Sequence, residues 1–304
     1  MKRLIVVYNP RSSQFGRVRD EVLAESRKLK GWTVGKFEVK DTDVDDNAAK
    51  LAELLSDGDL VVSAGGDGTA TITLNGVMLS KADGLKLGVL PYGNFNDTAR
   101  TFGTKNLQEI IEGKTMEAWG MECLINGRHW RWAMCYFTIG LFAESARIFD
   151  QKDNRKELRT GRRGMFYSIW LLKKWYMKNR KRQFLADFVL NRDGEELRCE
   201  GMTDYVAVNG KSMARAMRGG EWFLDEKKFL SETRSLRKLL NLGKLMMRSV
   251  LVRIPGEEAQ RNLLTFDKPA EIMIQAEGEY RKLKDVKTME VRKAEKPVKV
   301  MMRN

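Results

Sequence analysis

"DLVVSAGGDGTATITLNGVM", residues 59–78, runs from a short apolar stretch directly into Gly65, Gly66, Asp67, Gly68 and Thr69. The apolar residues read as a buried strand, the glycines as a tight turn, and the residues beyond them as helix-compatible. Without Cβ atoms such a turn brings backbone N–H groups against phosphate oxygens. A carboxylate in the same turn repels phosphate unless a divalent cation intervenes, which makes Asp67 a candidate ligand, direct or through water, in a Mg²⁺–nucleotide network. A purely structural turn with Asp67 capping the following helix fits the same letters.

Working outward, the first third of the chain alternates. Lys2 to Tyr8 is strand-like; "RVRDEVLAESRKLK" has helical spacing at Val18, Val22, Leu23 and Leu29; "WTVGKFEV" returns to strand composition. "DNAAKLAELLSD" predicts a second helix with Asp45 or Asp46 as its cap and Leu51, Leu54 and Leu55 on one face. "LKLGVLP" gives another strand and "NLQEIIEG" another helix. This rhythm predicts a largely parallel sheet covered on both faces, with ligands at the carboxyl ends of its strands. "GVLPYGNFNDTAR" ends at that edge, so Gly93, Asn94, Asn96, Asp97 and Arg100 fall beside the Asp67 loop. A plain turn capped by Asn96 or Asp97 is the competing reading.

From about residue 119 the rhythm changes to hairpins, with turn signals at Asn126-Gly127 and Asp193-Gly194. Residues 1–118 therefore read as an α/β domain. Residues 119–304 read as an antiparallel β domain with helical inserts at 162–182 and 232–252, its last segment free to pack back on the first domain.

The 304 residues allow two ordinary domains, and 42% hydrophobic with 32% charged residues is a globular balance. A net charge of +14 predicts attraction to polyanions, whether nucleotides, nucleic acid or an anionic membrane face. Cys123, Cys135 and Cys199 form no CxxC pair, so a disulfide framework and a zinc site are not indicated, and a reduced, cytoplasmic setting is expected. No apolar run reaches the length of a membrane span, so membrane contact is expected to be peripheral. No nucleic-acid motif accompanies the basic residues, and no specific nucleic-acid partner is expected. Gly113-Lys114-Thr115 and Gly210-Lys211-Ser212 imitate the end of a P-loop but lack its earlier glycine.

The order "NPRSS" (9–13), "GGDGT" (65–69), "PYGNFNDTAR" (91–100), "FTIGLFAE" (137–144) and "AEGEY" (276–280) resembles the bacterial lipid kinases related to diacylglycerol kinases and sphingosine kinases. GGDGT is shared with NAD kinases. The resemblance implies a Rossmann-like, NAD kinase-like ATP-binding domain followed by a β-sandwich domain, with the active site in the cleft between them. It implies that Asn9, Pro10, Arg11, Ser12, Ser13, Thr42, Gly65, Gly66, Asp67, Gly68, Thr69, Ala70, Thr71 and Asn94 line ATP. Asp67 and Asp97 would hold the water–magnesium network, and Glu279 would be the general base for a lipid hydroxyl. Ser13 stands where that family usually has glycine, and Asn94 where it has threonine. The stretch matching the family's structural Mg²⁺ segment is "WFLDEKKF", which makes Glu226 a candidate ligand. His129, in an alternating strand beside Trp130, reads as structural.

"RRGMFYSIWLLKKWYMKNRKR", residues 162–182, carries Met165, Ile169, Leu172 and Tyr176 on one stripe and a basic end at Lys173, Lys174, Lys178 and 180–182. The stripe reads as packing and the basic end as attraction to a phospholipid surface. "SETRSLRKLLNLGKLMMRSVLVR", with Leu236, Leu239, Leu240 and Met246, is a second membrane candidate. The expected function is ATP-dependent phosphorylation of a lipid hydroxyl, such as that of diacylglycerol, at the cytoplasmic membrane face; a homodimer is compatible with it. The alternatives are an NAD kinase, against which stands the lack of an Asn-Glu dipeptide, and a catalytically silent nucleotide- or membrane-binding regulator.

Overall fold

The computed structural model describes residues 2–40, 43–149, 151, 154, 161–179, 183–215, 217–235, 248 and 252–303. Strand β1 (Lys2–Tyr8) pairs in parallel with β2 (Trp32–Glu38) on one side and β3 (Leu60–Gly65) on the other; β4 (Lys86–Pro91) continues the parallel set beyond β3. Leu4, Val6 and Val62 enter one apolar core while Ile5, Val7 and Val61 enter another. Two buried faces explain why these strands are nearly continuous in apolar residues.

The helices α1 (Phe15–Arg17) and α2 (Ala24–Ser26) are joined by a π-helical segment, Val18–Leu23, and follow β1 as one helical stretch. α3 (Val44–Leu54) starts at Asp43, whose carboxylate accepts from the Asp45 N–H at 3.4 Å, so the cap lies two to three residues before the expected Asp45 or Asp46. Leu51 and Leu55 are buried, but Leu54 is 42% exposed because the helix ends there and its side chain leaves the buried face. α4 (Asp67–Leu79) is buried from Thr69 through Met78. Such a helix has no solvent stripe and belongs in the middle of a molecule.

α5 (Asp97–Phe102) and α6 (Leu107–Glu112) precede β5 (Lys114–Ala118). The chain then leaves this sheet for the hairpin β6 (Met121–Ile125) and β7 (Arg128–Ala133), turning at Asn126 (φ 51°) and Gly127 (φ 74°). β8 (Tyr136–Gly140) leads into α7 (Leu141–Phe149), and α8 (Gly161–Asn179) follows. The antiparallel set continues with β9 (Phe188–Arg192), β10 (Glu195–Cys199), β11 (Asp204–Val208), a small hairpin of β12 (Ser212–Met213) and β13 (Met217–Arg218), then β14 (Phe229–Arg234) and β15 (Glu257–Ala259). The expected insert at 232–252 begins instead as strand through Arg234, held by pairing with β11; residues 236–247 and 249–251, with Leu236, Leu239, Leu240 and Met246, lie outside the described residues.

The long strands β16 (Arg261–Ala276) and β17 (Glu279–Lys293) form the spine of the second domain. β16 pairs with β9 along its first part and with β8 along its last, on either side of register shifts between Thr265 and Ile272. The fold class is therefore a mixed α/β domain with a parallel sheet followed by an antiparallel β-rich domain. β18 (Val298–Met302) returns to the first sheet and fits between β4, parallel to it, and β5, antiparallel to it. Val300, 0% exposed, thus belongs to the core of a domain whose other strands lie before residue 119. Val300→Asp places a carboxylate in that core without a partner and is expected to destabilise the protein by about 3 kcal/mol or more in urea denaturation. A shift below about 0.5 kcal/mol contradicts this placement.

Candidate active site

Gly65 ends β3 opposite Pro91 of β4, so the loops after both strands leave the sheet side by side. Their backbones touch: a Cβ on Gly66 would meet the Gly93 Cα at 3.1 Å, and a Cβ on Gly93 would overlap the Gly66 Cα. The sequence supplies glycine at both positions; at Gly93 no larger residue permits this approach, and at Gly66 the fit would be tight. Asn96 closes the second loop on itself, accepting from the Gly93 N–H at 2.7 Å and donating to the Gly93 carbonyl at 2.8 Å. Its own backbone is left-handed, with φ 57°.

Asp67 then crosses from one loop to the other. Its Oδ2 accepts from the Asn96 N–H at 2.8 Å and its Oδ1 from the Asp97 N–H at 2.7 Å. The carboxylate therefore caps α5 from outside, in place of a cap on its own helix α4 or by the side chain of Asn96. Asp97 is fully buried and faces the second domain, where Ser212 Oγ (2.6 Å), the Arg215 N–H (2.9 Å) and Tyr136 OH (3.3 Å) donate to it.

The tip of the β16–β17 hairpin supplies the remaining acids. Glu277 (φ 49°) and Gly278 (φ 90°) form the turn, and Glu277 is fully buried in the domain junction. Its Oε1 accepts from the N–H groups of Met134 (2.6 Å) and Cys135 (2.5 Å), while Thr71 and Thr98 hydroxyls lie 3.4 and 3.5 Å from Oε2. Burial pushes its carboxyl up to about 7 against the pull of those donors. Burial, then the charges of Asp97 and Glu277, push Asp67 well above the usual carboxylate range. Glu279, next on the hairpin, is only partly buried, and its Oε1 lies where a Cβ on Gly68 would be. Glu277 is held in place as a strut, whereas Glu279 faces the glycine loop in the cleft.

The segment Asn9–Ser13 forms a turn after β1, with the Ser12 N–H donating to the Asn9 carbonyl (3.0 Å) and the Arg11 N–H to Asn9 Oδ1 (2.9 Å). Since Tyr8 pairs with Ala64, this turn leaves the sheet at the same edge as the Asp67 loop. Asn94 is in the second loop. The N–H groups of Asp67, Gly68 and Thr69 precede the first intrahelical bond of α4, from Ala70 to the Gly66 carbonyl. Thr69, Ala70 and Thr71 are buried, and Thr71 turns toward Glu277. Thr42 lies outside the described residues.

Glu226 is on an exposed turn away from these loops, 3.8 Å from Lys227 Nζ, and Asp225 accepts from the N–H groups of Lys227 and Lys228. Among the described residues no three His, Cys, Asp or Glu side chains cluster in the manner of a metal cage. His129 is a neighbour of Glu122 (2.7 Å) and stacks near Trp132, in a strand. Sequence reasoning missed Glu277, Ser212, Tyr136 and Arg215; only the Glu277-Gly278 turn carried a local signal for any of them.

Residues 3–122 match the family model for the diacylglycerol kinase catalytic domain. Diacylglycerol kinases of Staphylococcus epidermidis and Staphylococcus saprophyticus are similar to this chain, at 33% identity over 121 residues and 34% over 119. These alignments cover 38% and 37% of this chain and 37% and 38% of those proteins, so the likeness in sequence spans well under half of either. The crystal structure of a diacylglycerol kinase from Bacillus anthracis superposes with a TM-score of 0.70 at 16% identity, covering 99% of this chain and 97% of that one. An NAD kinase from Archaeoglobus fulgidus, solved in complex with ATP, superposes at 0.50 with 12% identity, covering 99% and 94%. Residues 3–122 are thus similar to the diacylglycerol kinase catalytic domain, and the fold of the chain is shared with diacylglycerol kinases and related to NAD kinases.

The raised Glu277 carboxyl makes the folded protein bind a proton that the unfolded chain releases near pH 4.5. Its contribution to stability is therefore fullest below about pH 4.5 and declines as the pH rises toward about 7. Glu277→Gln keeps a neutral acceptor there and is expected to remove up to about 1.4 kcal/mol per pH unit of that decline. Urea titrations of both proteins between pH 5 and 7 check this, and parallel profiles contradict it.

Proposed function

We propose that this chain transfers the γ-phosphate of ATP to a hydroxyl group of a lipid, with diacylglycerol as the leading acceptor. The observation that carries the reading is the placement of Glu279, from the second domain, directly over Gly68 of the loop that presents backbone N–H groups beside Asp67. The donor loop comes from one domain and the base from the other, which is the arrangement a two-substrate transfer requires. The sequence match to diacylglycerol kinases and the ATP bound by the superposed NAD kinase favour ATP as donor.

In this reading the amides at the start of α4 orient the phosphates, and Glu279 accepts the proton of the lipid hydroxyl as its oxygen attacks the γ-phosphorus. The bond from the γ-phosphorus to the β–γ bridging oxygen breaks and its electron pair leaves with ADP. Asp67, partly open to the cleft and crowded by the charges of Asp97 and Glu277, fits a hydrated Mg²⁺, to which Asp97, buried behind it, would add negative charge. Bound there, Mg²⁺ would neutralise phosphate charge. Glu277, fixed by two N–H groups, sets the position of the turn that carries Glu279.

Contact with an anionic membrane from the cytoplasmic side is assigned to α8. Tyr176 is buried and Trp175 packs on the core, while Trp170 and Met177 are exposed beside Lys173, Lys174 and Lys178. Lys174 Nζ lies 5.0 Å from the Trp170 ring centre. An exposed Trp beside lysines suits the headgroup layer, and no helix among the described residues is long and apolar enough to cross a bilayer.

Radiolabelled ATP offered with a panel of lipids in mixed micelles, and with NAD, is expected to label lipid; label on NAD alone overturns the lipid assignment. Glu279→Gln should lower transfer by about 100-fold or more while ATP affinity stays within about threefold, and full turnover would require another base. Asp67→Asn should raise the Mg²⁺ concentration needed for half-maximal transfer. Sedimentation should show stronger binding to anionic than to neutral vesicles, and equal binding contradicts the charge-driven contact.

A further inference from the structure

The small hairpin β12–β13 belongs to the second domain but reaches the first. At its root the N–H groups of Asn209 and Gly210 donate to the Cys135 carbonyl at 2.7 and 3.0 Å, and the Lys211 N–H donates to Thr101 Oγ1 at 3.2 Å. At its tip Ser212 Oγ and the Arg215 N–H share Asp97 Oδ1. The turn residues Ala214 (φ 51°) and Arg215 (φ 64°) are both left-handed without being glycine. That conformation is strained for any residue with a Cβ.

The backbone requirements of this turn call for glycine, and the bond to Asp97 comes from main-chain N–H. The side chain of Arg215 serves neither purpose. It is exposed, and its guanidinium has no hydrogen bond or ion pair among the described residues. The Cα that carries it is nonetheless fixed one hydrogen bond from Asp97, which is itself one hydrogen bond from Asp67. The junction beside it is rich in acids: Asp97 and Glu277 are buried within it, and Asp67 and Glu279 are partly open to the cleft. A cationic residue kept on the turn that bonds Asp97, where the backbone favours glycine, is explained by a ligand with several negative oxygens.

We propose that the Arg215 guanidinium contacts the phosphoryl group in transit from ATP, approaching it from the acceptor side of the cleft. This rests on the kinase reading above. A planar guanidinium donates two parallel N–H bonds to the equatorial oxygens of that group, where negative charge is greatest as the bond to ADP lengthens. The contact adds no proton transfer: the hydroxyl proton still goes to Glu279 and the electron pair to ADP. Fixing the main chain through Asp97 positions the arginine only when the hairpin is docked, so the second domain supplies both the base and this cation.

The test compares Arg215→Ala, Arg215→Lys and Arg215→Gly with the unaltered protein for ATP binding, ADP binding, transfer to any acceptor the unaltered protein labels, and melting temperature. Arg215→Ala is expected to lose at least 30-fold in kcat/KM for ATP, to bind ADP normally, and to recover partly when guanidinium ion is added at millimolar concentration. Arg215→Lys should retain more activity than Arg215→Ala. Arg215→Gly, which relieves the left-handed strain, should melt at or above the unaltered temperature while being as inactive as Arg215→Ala. Turnover of Arg215→Ala within twofold of the unaltered protein overturns the assignment, as does a parallel loss of activity and melting temperature in Arg215→Gly. Failure of the unaltered protein to label lipid, with NAD labelled instead, removes the lipid reading while the arginine is still decided by its variants. Failure of the unaltered protein to bind ATP removes both.

Discussion

The carboxylate of Asp67 accepts hydrogen bonds from the N–H groups of Asn96 and Asp97, and the geometry of the whole site is built on that link. It fixes two loops from adjacent strand ends in contact, and glycine at position 93 is what lets their backbones approach closely enough. It also gathers like charges. Asp67 lies near Asp97 and Glu277, each of which is fully buried. Desolvating three carboxylates in one junction is unfavourable unless donors or cations compensate. Backbone N–H groups and hydroxyls do so for Asp97 and Glu277, leaving Asp67 and Glu279 as the acids with access to the cleft.

This arrangement needs both domains. Asn75 of the buried helix α4 exchanges two hydrogen bonds with the main chain of Trp132, each at 3.0 Å. At the start of α3, Asp45 pairs with Arg131 at 2.7 Å and Asp43 with Arg281 at 2.5 Å. The strand β18 carries the end of the chain back into the first sheet. These ties place the β16–β17 turn, and therefore Glu279, over Gly68. The site is a property of the junction rather than of either domain.

Much of this was legible in the sequence because it is local. An apolar run before "GGDG", and a second before "GNFND", fix strand, turn and helix within a few residues, and their place at one sheet edge follows from βα alternation. Asn126-Gly127 and Asp193-Gly194 announce their hairpins by composition, and both turn as expected, with positive φ at all four residues. What was hidden depends on contacts distant along the chain. Glu277 gains its role only when the hairpin tip enters the junction. Ser212 and Arg215 gain meaning only when their hairpin docks on Asp97, some 115 residues earlier. The α3 cap fell on Asp43 rather than its acidic neighbours because three aspartates lie within four positions, and composition cannot rank them.

A crystal structure with a non-hydrolysable ATP analogue and Mn²⁺, located by its anomalous scattering, decides whether the domain junction holds the nucleotide. The metal is expected beside Asp67, the terminal phosphate against the amides at the start of α4, and the Glu279 carboxylate facing that phosphate across the cleft. A triphosphate bound elsewhere, or a metal remote from Asp67, would contradict this placement.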